Sequence, residues 1–535
     1  MRGYTEGTRA NSALLFDNGT FARAAVSAIL TLCLVIPFSA HASSRLAMAA
    51  RTNDTSEFEA LISAGEDVNM PEPDGTTALL WAVYNSNLAM VKSLLDAGAD
   101  PDTPNTLDIT PLLMASRYGN ADMIQTLLDS GASIDHSALA VEPLIMAAAR
   151  AGSVDAVNVL LEAGAKPNDM EPLDNQTAIM WAAAEGHLDV AKALLDAGAD
   201  PDMRSRINTL TKRKNADFPT GGFAAMHWAA RNGDREMIDL LLDKGADINV
   251  INGDKASPMM LAIVNDRFDL ARHMLERGAD ANDGSLYYAT IMRDGTTDWM
   301  AMDGTVFRAD HDNEIDALEL TALLLEAGAD PNKPFIGQMH NASMCCDYKS
   351  NQTPFYRAAK SADIAGMKLM LEHGGDSNWK PASETRPVGI DGEEEVVSQS
   401  ALMVATTGGK GVGRQGGPND LRYGPPPFRE EGVRDQVQAV MMLLEAGADV
   451  NIPGPDGRTA LHVAAKELEP AIVRALVEHG ADLDAVNNDG KTALQVVEEM
   501  DRPEPTPGFY FEEPPAWPED MIALLTELGA TPTQE

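Results

Sequence analysis

The sequence predicts an all-α fold, an α-solenoid of about twelve helix-turn-helix units with β-hairpin-like fingers between them. Three observations carry this expectation. The string Leu94-Leu95-Asp96-Ala97-Gly98-Ala99-Asp100 returns as Leu194 to Asp200 and, with Glu in place of the first Asp, as Leu324 to Asp330 and Leu443 to Asp449. The glycines of its copies stand at 65, 98, 131, 164, 198, 245, 278, 328, 374, 447, 480 and 529, spaced by 33, 33, 33, 34, 47, 33, 50, 46, 73, 33 and 49 residues. A recurring period of this size marks a stacked repeat array. Finally, the 535 residues include three cysteines, too few for a disulfide framework, so packing between neighbouring units has to hold the chain.

The N-terminus is set apart from the repeats. Arg23 precedes fifteen largely apolar residues from Ala24 to Phe38, and Ala40-His41-Ala42 follows. Basic, apolar and small-x-small segments in that order predict a signal peptide over 1–42, cleaved after Ala42; the apolar run is short for a membrane span of ~20 residues. The rival reading is an uncleaved anchor; the long leader ahead of Arg23 carries Glu6 and Asp17, which points to a start codon further in. Cleavage leaves Cys345 and Cys346 as the remaining thiols, an adjacent pair able to form only a strained vicinal disulfide or an intermolecular one.

Within each repeat, every Gly ends an amphipathic run such as Met90-Val91-Lys92-Ser93-Leu94-Leu95, whose apolar spacing suits one face of a helix and whose Gly supplies a left-handed cap. About twelve residues on, a second opening recurs: Thr77-Ala78-Leu79, Thr110-Pro111-Leu112, Thr177-Ala178-Ile179, Ser257-Pro258-Met259, Thr353-Pro354-Phe355, Thr459-Ala460-Leu461 and Thr492-Ala493-Leu494. A hydroxyl followed by Pro or Ala starts a helix. Ala pairs such as Ala182-Ala183 and Ala229-Ala230 let the first helices of adjacent repeats approach.

Two short helices followed by a Gly-capped loop carrying Ala-Asp-x-Asn resemble the ankyrin repeat. The fullest match runs from Thr459-Ala460-Leu461-His462-Val463-Ala464-Ala465 to Gly480-Ala481-Asp482, and the resemblance covers nearly all of 43–535. Three departures stand out: Pro143 in the Thr slot of the fourth copy, Ala224-Ala225 in place of Thr-Pro in the sixth, and Leu286-Tyr287-Tyr288-Ala289 as a weak eighth. The expected organisation is 1–42 signal peptide, 43–290 N-terminal repeats of about seven regular units, and 291–535 C-terminal repeats with long insertions. Insertions at 203–221, 333–351 and 379–398 would lengthen fingers, whereas 293–313, 406–433 and 501–518 would interrupt helix pairs. Such loops on a rigid scaffold commonly carry function, and trimming 406–433 is expected to weaken partner capture.

Charge excludes some partners. Lys plus Arg number 41 against 81 for Asp plus Glu, a net −40, which disfavours nucleic acid and anionic lipid; no membrane insertion of the mature chain is expected. Catalytic signatures are missing: the sequence holds no GxSxG, HExxH or paired CxxC. His340, Cys345, Cys346 and Asp347 fit no zinc spacing, and Gly408-Gly409-Lys410-Gly411-Val412-Gly413-Arg414 lacks the order of a phosphate loop. The resemblance gives His227, His462 and His187 structural hydrogen bonds; His373 and His479 complement helix C-termini. No cofactor or metal is expected.

Carrying the family's inner-helix surface slots onto this chain marks Tyr84, Asn85, Arg117, Tyr118, Arg150, Glu185, Arg231 and Asn232 as candidate partner-binding residues. Arg and Tyr combine contact area with directional hydrogen bonds, and three arginines oppose the global charge. Trp81, Trp181 and Trp228 share one slot, where core packing explains them. A basic group on a finger, Arg204, Arg206, Lys212, Arg213 and Lys214, could meet an anionic partner. The expected function is a non-catalytic, periplasmic or secreted scaffold that binds an extended, partly acidic protein segment on its concave face, without enzyme activity. The alternatives are an accessory subunit of an exported enzyme and an enzyme built on the C-terminal insertions. Reversing Arg117, Arg150 and Arg231 to Glu is expected to abolish binding and leave folding intact.

Overall fold

A computed structural model of the chain describes residues 44–135, 142–208, 220–293, 312–335, 352–381, 384–388, 393–397, 399–407, 436–500 and 517–531. The segment 1–43, the cysteines and most of each long insertion other than 379–398 lie outside them. Among the described residues the elements are twelve pairs of short helices and two small hairpins. The chain divides into two units, one comprising residues up to 206 with 239–245, the other 207–238 with 246–535.

The first unit opens with five pairs: α1 Arg45–Thr52 and α2 Thr55–Ser63, α3 Ala78–Tyr84 and α4 Leu88–Asp96, α5 Pro111–Arg117 and α6 Ala121–Asp129, α7 Leu144–Arg150 and α8 Val154–Glu162, α9 Ala178–Glu185 and α10 Leu188–Asp196. First helices stack on first helices from α1 through α9, and second helices on second from α2 through α10. The sixth pair is α11 Ala225–Asn232 and α12 Arg235–Asp243. The second unit continues with α13 Pro258–Val264 and α14 Phe268–Glu276, α15 Ser285–Arg293 and α16 Ala317–Glu326, α17 Pro354–Lys360 and α18 Ile364–Glu372, α19 Ala401–Thr407 and α20 Gln436–Glu445, α21 Ala460–Lys466 and α22 Pro470–Glu478, α23 Ala493–Glu498 and α24 Pro518–Leu528. There the same two rows run from α11 to α23 and from α14 to α24.

Why these residues form these pairs is visible at the ends. All twelve repeat glycines have φ between 73° and 106°, a region that costs other L-residues ~1–2 kcal/mol. After α4, the Gly98 amide donates to Leu95 O at 3.0 Å and the Ala99 amide to Leu94 O at 2.9 Å, the paired closure that satisfies orphan carbonyls at a helix end. At the starts, the hydroxyls of Thr77, Thr110, Ser257, Thr353 and Thr492 accept the amide three residues on. Two of the expected caps differ. Thr177, with the more extended φ of −120°, makes no such bond, and at Thr459 the hydroxyl lies 3.0 Å from His462 Nδ1 instead. Pro143 and Ala224 stand at N-caps without side-chain bonds.

Each unit buries what it cannot bury alone. Leu94, Leu127, Leu160 and Leu194 on the second helices have no exposed surface, and Ala182, Ala183, Ala229 and Ala230 are equally covered. Burying one such leucine contributes ~1.5–3 kcal/mol, and in quasi-one-dimensional stacks neighbouring repeats supply part of that cover. The weak eighth repeat is a full helix: in α15 the residues from Ser285 to Met292 are all buried, with Tyr287 stacked on Phe335 at 6.0 Å.

A polar ladder runs along the loops that leave the second helices. Asn282 donates to Gly328 O at 2.9 Å and accepts from the Asp330 amide at 2.8 Å. Asn332 bonds Gly374 O and the Asp376 amide at 2.8 and 2.7 Å, and Asn378 bonds Gly447 O and the Asp449 amide at 3.1 and 2.7 Å. Asn451 continues it to Gly480 and Asp482. In the first unit Asn69 and Asn168 make the same pair of bonds to the following repeat. The rungs join residues 29 to 71 positions apart, so the long insertions leave the stacking geometry unchanged.

The fingers meet the hairpin expectation at two places. Strands β1 Ile207–Asn208 and β2 Thr220–Gly221 pair antiparallel, as do β3 Glu384–Val388 and β4 Glu393–Val397, the latter with Glu384 opposite Val397. Both lie in the insertions assigned to fingers. The insertion at 293–313 springs from anchored ends: Arg293 holds Asp363 bidentately at 2.6 and 2.7 Å, and Asn313 bonds the Phe268 amide and Asp266 O, each at 2.9 Å.

Candidate interaction face of the inner helices

The first helix of each pair, here the inner helix, ends in the candidate residues. In the first unit they form a run of contacts. Tyr84 packs edge-on against Trp81 at 5.6 Å between ring centres and against Tyr118 at 6.3 Å, and Tyr118 is 39% exposed. Asn85 is committed inward: its Nδ2 donates to Ala50 O at 2.7 Å and Arg51 O at 3.2 Å, capping carbonyls of the preceding inner helix.

Arg117 and Arg150 converge on one carboxylate that sequence reasoning missed. Arg117 Nε donates to Glu142 Oε2 at 3.0 Å, with Nη2 of the same guanidinium 2.9 Å away. Arg150 Nη2 reaches the same oxygen at 3.0 Å. Side-chain exposures are 24% and 27% for the arginines and 10% for Glu142. Beyond it, Arg150 lies over the ring of Trp181 at 5.1 Å, a cation–π geometry. Glu185, one turn past Trp181, is half-buried. Glu at 117 or 150 would face Glu142 at ion-pair distance, so the charge reversal carries a like-charge cost to stability alongside its expected effect on binding.

A second carboxylate of this kind stands two repeats earlier. Glu72 Oε2 accepts the Trp81 indole N–H at 2.9 Å, and Arg51 lies 3.4 Å from Glu72 Oε1 and 5.8 Å from the Trp81 ring centre. Trp81 is buried, as core packing implies, whereas Trp181 and Trp228 are half-buried beneath arginines. The signal for these acids was present: an Arg closing an inner helix, with a Glu in the segment before the next.

Arg231 and Asn232 belong to the second unit. Arg231 lies 5.6 Å over Trp228, and burial pulls its guanidinium below its ordinary proton affinity. Asn232 is exposed.

His187, His227, His373, His462 and His479 are engaged in hydrogen bonds with backbone groups. His227 Nδ1 accepts the Ala224 amide at 3.0 Å, so Nε2 carries the proton toward Ala256 O at 3.3 Å in the next finger. His462 repeats this between Thr459 and Lys491 at 3.2 and 3.0 Å. His187 reaches Arg150 O at 3.3 Å. His373 and His479 donate from Nδ1 to the carbonyls of Leu369 and Ala475. Arg206 donates to Pro172 O at 2.8 Å; Lys212, Arg213 and Lys214 lie outside the described residues, as do Gly408 to Arg414, His340, Cys345, Cys346 and Asp347. Among the described residues there is no group of three or more metal-ligating side chains and no helix long and apolar enough to cross a membrane.

Stacked helix pairs with glycine-closed loops define a helical repeat protein. The family model described as "Ankyrin repeats (3 copies)" matches residues 46–138, 140–205, 205–285 and 433–503, together more than half of the chain. The chain belongs to the ankyrin repeat family, whose members generally mediate protein–protein interaction and are typically non-catalytic. One similar solved structure is the crystal structure of the human ASB11 ankyrin repeat domain, 25% identical, covering 44% of this chain and 98% of its own, with a TM-score of 0.38. No curated protein matches.

Proposed function

We propose that this chain is a non-catalytic scaffold that holds an extended segment of a partner protein along its inner-helix, concave face, in the periplasm or outside the cell. The observation that carries the reading is the run of solvent-reaching aromatic and guanidinium groups at consecutive inner-helix ends, Tyr84, Tyr118, Arg117 and Arg150, on a chain of net charge −40. Aromatic and Arg side chains are the groups that anchor interfaces. The basic-apolar-small N-terminus supports export with cleavage after Ala42.

A photo-crosslinking amino acid at Tyr118, with the exposed second-helix position Lys92 as control, tests the reading in the exported fraction. One protein crosslinked at 118 and absent at 92 is the expected result. Equal labelling at both, or turnover by the isolated chain, refutes it; an unprocessed N-terminus on the exported protein refutes the cleavage.

A further inference from the structure

Arg117 and Arg150 present two positive charges to a single carboxylate, that of Glu142. A guanidinium has five N–H donors. Of those on this pair, Nε of Arg117 and Nη2 of both arginines face Glu142, which leaves Nη1 of Arg117 and Nε and Nη1 of Arg150 without a partner among the described residues. About a quarter of each arginine side chain reaches solvent. The pair therefore keeps one uncompensated positive charge and unused donors in a chain whose net charge is −40.

The surroundings restrict what could use them. On one side Arg117 adjoins Tyr118, a residue 39% exposed whose ring packs on Tyr84. On the other, Trp181 backs the Arg150 guanidinium at 5.1 Å and holds it on the surface. Adjacent inner helices pack ~8–10 Å apart, so the stretch from α3 to α9 spans ~24–30 Å, the reach of about eight or nine extended residues. An acidic side chain fits the middle of such a segment, with aromatic contact to one side.

We propose that Arg117 and Arg150 form a seat for one carboxylate of an acidic side chain in an extended partner segment, and that Glu142 fills this seat as an internal stand-in when no partner is bound. The inference rests on the proposed inner-face binding and adds its chemistry. Glu142 sets the threshold: a partner carboxylate must share or displace it, so weakly acidic or misregistered segments are rejected. The same arrangement at Arg51, Glu72 and Trp81 differs, because there the carboxylate is fixed by the indole N–H at 2.9 Å and faces a single arginine.

The test titrates the purified chain, by calorimetry, with nine-residue peptides in a Gly-Ser background that carry flanking tyrosines and a central Glu, Gln, Lys or phosphoserine. The Glu peptide is expected to bind about tenfold more tightly than the Gln peptide, a difference of ~1.4 kcal/mol, and the Lys peptide not at all. Glu142→Gln should raise affinity for the Glu peptide about tenfold, and Arg150→Met should abolish the Glu-over-Gln preference. Glu142→Asp, which keeps the charge on a shorter arm, provides an intermediate gain if the Gln variant is too unstable to purify. Equal binding of the Glu, Gln and Lys peptides, no binding of any, or no gain from either Glu142 variant overturns the seat. Tighter binding of phosphoserine than Glu reassigns it to phosphate and also overturns it. Crosslinking at Tyr118 separates the two claims: an adduct there with a null Glu142 result sinks the seat alone, and its absence sinks the inner-face reading.

Discussion

Replacing Asn332 tests how the repeats are tied to one another. Its carboxamide donates to Gly374 O at 2.8 Å and accepts from the Asp376 amide at 2.7 Å. Each is a neutral hydrogen bond worth ~0.5–1.5 kcal/mol net. Asn332→Ala removes both and should cost ~1–3 kcal/mol; Asn332→Asp keeps an acceptor and loses the donor, so it should cost ~0.5–1.5 kcal/mol. In a stack of neighbours the loss is felt locally. Hydrogen exchange followed by mass spectrometry should therefore show protection over 364–376 falling ~5- to 150-fold for Ala and ~2- to 12-fold for Asp, with amides in α1 to α4 unchanged. The chain already contains the Asp version: Asp102 accepts the Ser133 amide at 2.8 Å without a donor for the neighbouring carbonyl. Asp102→Asn should accordingly raise protection after α6 by the smaller factor. Equal losses for Ala and Asp at 332, or no loss for either, would show that the donated bond does not tie the repeats.

Two further outcomes follow from the inner helices. Trp81→Phe removes a buried N–H bonded to the Glu72 carboxylate and should cost ~1.5–3 kcal/mol, as for hydrogen bonds to charged groups, whereas Trp181→Phe, whose indole nitrogen has no hydrogen-bond partner, should cost less in the same urea titration; equal costs contradict the assignment. Burial holds the His462 imidazole below its ordinary value of 6.5, so the folded chain keeps it neutral while the unfolded chain takes up a proton sooner. Its contribution to stability is thus complete above about pH 6.5 and falls as the solution is acidified through the folded-state value; the pH dependence of urea midpoints for wild type and His462→Gln checks this, and parallel curves between pH 7 and 5 would contradict it.

Much of the fold was legible because its determinants are local. A Gly that must adopt positive φ, a Thr or Ser before Pro, and paired alanines announce themselves in the residue string. The family slots fell on inner-helix ends, where Tyr118 and Asn232 are exposed, and the family histidine explained His227 and His462. What stayed hidden depends on atoms brought together from different repeats. Glu142 precedes a Pro143 that breaks the Thr pattern, and reading its pairing with arginines 25 and 8 residues away needs the register of neighbouring repeats as well as the Arg and Glu in the string. The Ala-Asp-x-Asn string was visible as punctuation, but its Asn acts on the following repeat. The second-helix caps were likewise overlooked: Asn87, Asn120 and Ser153 each accept an amide three residues on, a signal present in the sequence at the turn inside each pair. Conversely, Asn85 occupied a surface slot by register and is spent on backbone carbonyls, which slot position alone does not reveal.

The asparagine rungs close between atoms of adjacent repeats whether the intervening chain runs 29 residues or 71. Growth of a connecting segment is thereby uncoupled from the register of the stack, and new sequence can be spliced in, exchanged or deleted at such joints without renegotiating the scaffold. The rungs act as a mounting rail on which appendages of different length can sit at little structural cost, and a designer grafting a foreign loop between α19 and α20 inherits the same freedom.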